Sequence, residues 1–177
     1  MRKIQNTELG RLTVEDFKQV QKKPFIILLD NVRSMNNIGS VFRTADAFCC
    51  TSIGLCGITA KPPHREIHKT ALGAEESVDW FYENDTKDAV LKLKSEGFLI
   101  AAIEQVEGGI LLDKFIPESG KKYVFIFGHE MNGISDDVLK LCDIFIEIPQ
   151  QGTKHSLNVA VAAGIVSWQF MIHFEGK

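Results

Sequence analysis

The chain has no long hydrophobic run, no paired-cysteine spacing and no surplus of positive charge, and each absence removes a class of protein. Its longest apolar segment, Val159 to Trp168, falls well short of the roughly 20 residues a helix needs to cross a bilayer. A membrane protein is therefore not expected. Met1-Arg2-Lys3-Ile4-Gln5 is followed by no apolar stretch, which speaks against a secretory leader. Cys49, Cys50, Cys56 and Cys142 show no CxxC spacing and suit a reducing cytoplasm. His64 and His68 are spaced as zinc ligands on a helix would be, but no third ligand accompanies them, so no metal is expected. A formal charge of −3 argues against a protein that holds nucleic acid by charge alone. After the first apolar run the chain reads Leu29-Asp30-Asn31-Val32-Arg33, without the GxGxxG of a dinucleotide-dependent oxidoreductase.

The 177 residues suit one domain, 1–177, in which 1–23 form a short N-terminal helical extension. Thr13 is placed to cap a helix over Val14–Lys22, which Pro24 ends. Continuous apolar runs at Phe25–Asp30, Ser52–Cys56, Phe98–Ile103, Tyr123–Phe127 and Ile144–Ile148 read as strands buried on both faces, with a further strand at Val78–Tyr82. Between them lie helical stretches at about Gly39–Phe48, Glu66–Leu72, Lys87–Glu96 (capped by Thr86) and Ser135–Cys142. The last helix spans about Asn158–Phe174. This alternation predicts an α/β fold, a mostly parallel sheet with helices on both faces. Ligands of such sheets sit beyond the carboxyl ends of the strands, which directs attention to the polar loops Asn31–Asn37, Gly128–Gly133 and Pro149–Ser156.

The first of these loops runs into Asn36-Asn37-Ile38-Gly39-Ser40-Val41-Phe42-Arg43-Thr44-Ala45. The second lies in Phe127-Gly128-His129-Glu130-Met131-Asn132-Gly133-Ile134-Ser135. The third lies in Ile148-Pro149-Gln150-Gln151-Gly152-Thr153-Lys154-His155-Ser156-Leu157-Asn158-Val159-Ala160-Val161-Ala162. In this order and spacing they resemble the three signature motifs of the SpoU (TrmH-type) RNA ribose 2′-O-methyltransferases of the SPOUT superfamily, from about residue 25 onward. The resemblance implies a C-terminal deep trefoil knot, a homodimer, S-adenosyl-L-methionine as cofactor, and a tRNA or rRNA substrate methylated on a ribose 2′-OH.

Motif by motif, it assigns Arg43 to the ribose 2′-OH. A guanidinium normally stays protonated, so Arg43 serves either as a base assisted by the substrate phosphate or as a stabiliser of the alkoxide. Asn37 is expected to orient Arg43 or the ribose, and by itself would also serve as a helix N-cap. Glu130 is expected to hold Asn37 or Arg43. Ser156 and Asn158 match the family's polar pair, and both also suit capping of the last helix. Gly128, Ile148, Leu157 and Gly152 are the expected cofactor-binding residues, Gly152 through the tight turn of the knot loop that it suits.

Gln150, Ala160 and His129 depart from the residues commonest in the family, which leaves substrate preference open. For the RNA, the local basic segments are residues 1–23 and Lys61–Lys69, with Lys61, Arg65 and Lys69 the candidate contacts. Small-residue pairs Ala160/Gly164 and Ala163/Ser167 in the last helix suit close packing of a second backbone. The rival readings are a dinucleotide-dependent oxidoreductase and a catalytically idle RNA-binding or cofactor-sensing relative. Cofactor binding discriminates the first rival and RNA-dependent methyl transfer the second.

Overall fold

Each unbroken apolar run becomes a strand in the computed structural model, which describes residues 1–5 and 8–175. In chain order the elements are α1 (Val14–Gln19), β1 (Lys23–Asp30), α2 (Met35–Ala47), β2 (Cys50–Cys56), α3 (Arg65–Ala71), α4 (Ala74–Ser77), β3 (Trp80–Glu83), α5 (Thr86–Ser95), β4 (Phe98–Ile103), β5 (Ile110–Leu111), β6 (Lys122–Phe127), α6 (Asp136–Leu139), β7 (Ile144–Glu147) and α7 (Val159–Glu175). The strands form one sheet in the order β3-β2-β1-β6-β4-β7-β5. Every pairing is parallel.

Side chains alternate across each strand, so the sheet has two apolar faces. Phe25, Ile27 and Leu29 of β1 and Phe125 of β6 point toward α2 and α7, where Phe170 packs with ring centroids 5.0 Å from Phe25 and 5.6 Å from Phe125. Ile26, Leu28, Val124 and Ile126 point the other way, toward Ala89, Val90 and Leu93 of α5 and Val138 of α6. Fully burying one such side chain contributes about 1.5–3 kcal/mol. Two layers of them make β1 and β6 the rigid centre on which the loops are mounted.

Local chemistry shifts several boundaries. Ser34 caps α2 by accepting from Asn37 N–H at 3.3 Å, so the helix begins at Met35 and Asn37 lies in its first turn rather than at its cap. Asp85, not Thr86, caps α5, accepting from Lys87 N–H at 2.8 Å. That leaves the Thr86 hydroxyl free to donate to the buried Asp30 carboxylate at 2.5 Å. Helix α1 ends at Gln19 because Val20 is already extended, and its Phe17 is buried in the core. Helix α6 is a single short turn. The elements α4 and β5 are too brief for a periodic signal.

Helix α7 corrects one expectation. Ala163 and Ser167 are buried within the chain, at 0% and 1% exposure, so that pair offers no face to another molecule. The outward face is instead Val161, Ile165, Trp168 and Ile172, large apolar residues that remain exposed. Among the described residues no helix is long and apolar enough to cross a membrane.

Candidate active site

The carboxyl ends of β1, β4, β6 and β7 lie side by side, and the loops leaving them meet. Glu130, in the loop after β6, reaches across to the start of α2. Its carboxylate accepts from Arg33 N–H at 3.1 Å, Ser34 N–H at 3.0 Å and the Asn37 side-chain amide at 3.3 Å. Asn37 in turn accepts at its Oδ1 from the Asn158 amide at 3.0 Å. Asn158 also caps α7, its Oδ1 accepting from Ala160 N–H at 2.9 Å. One chain of hydrogen bonds therefore ties all three motif segments together. Burial alone would raise the Glu130 carboxyl, but the Arg33, Glu130 and Ser34 N–H groups and the Asn37 amide hold it below its ordinary value of 4.5.

The loop that carries Glu130 is itself a tight turn. His129 and Gly133 exchange backbone hydrogen bonds at 3.1 and 2.9 Å, and Gly133 takes a positive φ of 64°. A Cβ on Gly128 would stand 2.2 Å from the Gly133 carbonyl carbon. Glycine is thus demanded by the loop folding onto itself, rather than by approach to a ligand. His129 closes the turn, its Nδ1 accepting from Met131 N–H at 3.0 Å.

Between this turn, the end of β4 and the segment after β7 lies a cavity of about 660 Å³. Gly128, Ile148, Leu157, Glu130, Ser156 and Asn158 all line it, as does Gln150. Gly152 does not. It sits in an exposed loop with open space around it and no positive φ, so neither its backbone nor its packing within the chain demands glycine. Among the described residues no lysine or arginine lines the cavity, whereas Glu104, Glu130 and Glu147 do. Glu104 was missed in the sequence reading. Its carboxylate accepts from Ile134 N–H at 3.1 Å and Gln105 N–H at 3.0 Å, bracing the Gly128–Gly133 turn against β4. The available signal was its position, a charged residue directly after a buried parallel strand.

Arg43 is elsewhere. Six residues of helix turn it roughly 240° from Asn37, and it touches neither Asn37 nor Glu130. Of the two partners expected for Glu130, Asn37 is therefore the one it holds, and Asn37 does not orient Arg43 within this chain. Arg43 is exposed and has no hydrogen-bond or ion-pair partner among the described residues. It lines a second hollow of about 480 Å³ with Ser40, Thr44, Phe48, Lys69 and Thr70. Phe48 on its rim packs against Trp168 of α7 at 6.3 Å, so this hollow is continuous with the exposed apolar face of α7.

The candidate RNA contacts are exposed, and each has its own surroundings. Lys61 lies over the Tyr82 ring at 4.0 Å, and Lys69 pairs with Glu66 at 2.7 Å beside Arg43. Arg65 lines a separate cleft. His64 accepts from Glu66 N–H through its Nδ1, and His68 pairs with Glu75. Among the described residues no three His, Cys, Asp or Glu side chains gather as metal ligands would.

A doubly wound parallel sheet with a preformed polar cavity at its carboxyl edge defines a small-molecule-binding α/β protein. Residues 24–168 match the model of the SpoU rRNA Methylase family, and the chain belongs to that family. It is 26% identical over 149 residues to the 23S rRNA (guanosine-2′-O-)-methyltransferase RlmB of Neisseria meningitidis serogroup B, covering 84% of this chain and 58% of that protein. It is 28% identical over 165 residues to the tRNA (guanosine(18)-2′-O)-methyltransferase of Thermus thermophilus, covering 93% and 83% respectively. The crystal structure of the AdoMet-bound rRNA methyltransferase from Sinorhizobium meliloti superimposes with a TM-score of 0.78 at 26% identity, covering 86% of this chain and 58% of that one. The chain thus spans little more than half the length of two of these relatives.

Proposed function

We propose that the protein transfers a methyl group from S-adenosyl-L-methionine to a ribose 2′-OH of tRNA or rRNA. The observation that carries this reading is the charge of the cavity. A dinucleotide brings a pyrophosphate that needs cationic or backbone donors, and here acidic side chains would repel it. A sulfonium and an ammonium are instead complemented by Glu104, Glu130 and Glu147. The volume suits a nucleoside carrying an amino-acid arm. Gly128, Ile148 and Leu157 would hold the adenosine moiety, with Ser156 toward the acceptor ribose. The bound cofactor supplies an electrophilic methyl on its sulfonium.

Arg43 is assigned to the 2′-OH, as base with help from the substrate phosphate. Since it lies outside the cavity of its own chain, we place it in the cavity of a second copy. The exposed stripe Val161–Ile165–Trp168–Ile172 supports such a homodimer, because it adjoins the Arg43 hollow through Phe48. A knotted C-terminus is supported by the connectivity. β7 is inserted between β4 and β5, and the chain then returns so that α7 packs on Leu112, whose carbonyl accepts from Gln169. A cytoplasmic location accords with four free cysteines.

The test is incubation with methyl-labelled S-adenosyl-L-methionine and total RNA, followed by digestion to nucleosides. The expected product is a labelled 2′-O-methyl nucleoside. Label on a base, or binding of NADH in preference to S-adenosylhomocysteine, overturns the reading. Cofactor binding without transfer to any RNA would favour the idle relative.

A further inference from the structure

A cleft of about 520 Å³ lies apart from both the cavity and the Arg43 hollow, at the β3 edge of the sheet. Its walls are Pro62, Pro63, His64, Arg65, Glu75 and Trp80. Trp80 is 36% exposed, so part of its ring is open to a stacking partner. Arg65 has no partner among the described residues. Glu75 is the reverse case. Its side chain is only 9% exposed, and one oxygen meets His68 at 2.5 Å. The other oxygen is shielded from water and receives no hydrogen bond. A buried acceptor left without a donor is costly, so a ligand N–H that drew the Glu75 carboxylate toward the cleft would relieve that cost beside the Trp80 ring.

We propose that this cleft receives one unpaired, amino-bearing nucleobase of the RNA, stacked on Trp80 with its donor edge toward Glu75 and its phosphate on Arg65. The proposal rests on the RNA-methyltransferase reading and deepens it, from RNA in general to RNA with a flipped-out or single-stranded base away from the reacting ribose. A phosphate alone answers only Arg65 and leaves the Glu75 oxygen without a donor. An apolar ligand does not fit either, since it leaves the carboxylate oxygen without a donor. A base satisfies all three features, since aromatic stacking tolerates any base and the hydrogen-bonding edge then selects among them. Guanine presents adjacent ring and amino donors to a carboxylate. Uracil presents a ring N–H flanked by two carbonyl oxygens, which a carboxylate repels. The expected order is guanine first and uracil last.

The chain has two tryptophans, so Trp168→Phe leaves Trp80 as the sole reporter. In that background, short single-stranded oligoribonucleotides rich in guanosine should quench the emission, and uridine-only strands should bind more weakly. Trp80→Ala should weaken guanosine-strand binding by about tenfold, the order expected for one stacked base, and Trp80→Phe should restore most of it. Glu75→Gln should erase the preference for guanosine over uridine. Retention of RNA on a filter with unchanged Trp80 emission, or equal affinity in Trp80→Ala, overturns the proposal. If the protein binds S-adenosylhomocysteine yet retains no RNA at all, the RNA reading itself fails, and this inference falls with it.

Discussion

Two groups of polar residues lie on different faces of α2, and they have opposite characters. On one face Asn37 is locked between Glu130 and Asn158, every side chain in the series giving or receiving a hydrogen bond. On the other, Arg43 stands exposed and unpartnered over a hollow that opens onto the apolar face of α7. The first group is complete within one chain and needs nothing added to hold its shape. The second is a charged side chain with nothing to act on. The difference supports the proposed reading, in which one chain preforms the cofactor pocket and another surface, RNA or a second copy, builds the acceptor side.

The largest expected effect breaks the open side while sparing the locked one. Arg43→Ala should lower methyl transfer by at least about a hundredfold, the cost of losing one preorganised charged group at the reacting oxygen. Cofactor affinity, measured by calorimetry, should stay within a few-fold. Mixing Arg43→Ala with a second inactive variant, Asn158→Ala, should restore part of the activity if Arg43 serves the partner's cavity. Absence of any restoration would place both residues in one site, and parallel loss of cofactor binding would make Arg43 structural.

The next effect strikes the locked side. Gly128→Ala puts a methyl where the Gly133 backbone already stands, and backbone cannot step aside as a flexible side chain can. The turn must open, carrying Glu130 off Asn37 and displacing the cavity wall. Affinity for S-adenosylhomocysteine should fall by about tenfold or more, corresponding to about 1.4 kcal/mol, while the sedimentation coefficient stays unchanged. Unchanged affinity would mean the turn does not shape the pocket.

Parts of this arrangement were legible in the sequence. The buried strands announced themselves as unbroken apolar runs, and the strand-end rule brought the three polar loops to one edge. Strand order was not legible, because side-chain patterning is blind to which neighbour a strand pairs with. Nor was β5, two residues long at the sheet edge, where no period can build up. The start of α2 was misplaced because Ser34, not Asn37, makes the capping bond, and both are residue types that cap well. The separation of Asn37 from Arg43 was legible in principle, since a spacing of six residues does not return to the same helix face. The Glu66–Lys69 pair was legible too, being three apart on an expected helix, whereas the contact of Lys61 with Tyr82 was not, as it depends on where Tyr82 comes to lie.

The smallest effect sharpens the comparison through pH. Glu130 has its carboxyl held below the ordinary value of 4.5, so the folded state favours its charged form. A group with a lowered folded value stabilises fully above its unfolded value, and that contribution is lost as pH falls through the folded one. The Glu130 share of stability should therefore be constant from neutral pH down to the region of 4.5 and decline below it. Glu130→Gln keeps one acceptor oxygen but loses the charge, so its deficit against the unmodified protein should be present at neutral pH and shrink on acidification. Its size should be under about 1 kcal/mol, because the residue is exposed and solvent screens it. Arg43→Gln, on the open side, should show no such acid-dependent deficit, since no described residue pairs with it. Thermal melts of the three proteins from neutral pH to about 3 decide the matter. A deficit for Glu130→Gln that stays constant or widens on acidification would mean that the carboxylate is not held by the Arg33, Ser34 and Asn37 donors in solution, and the locked face would then be as open as the other.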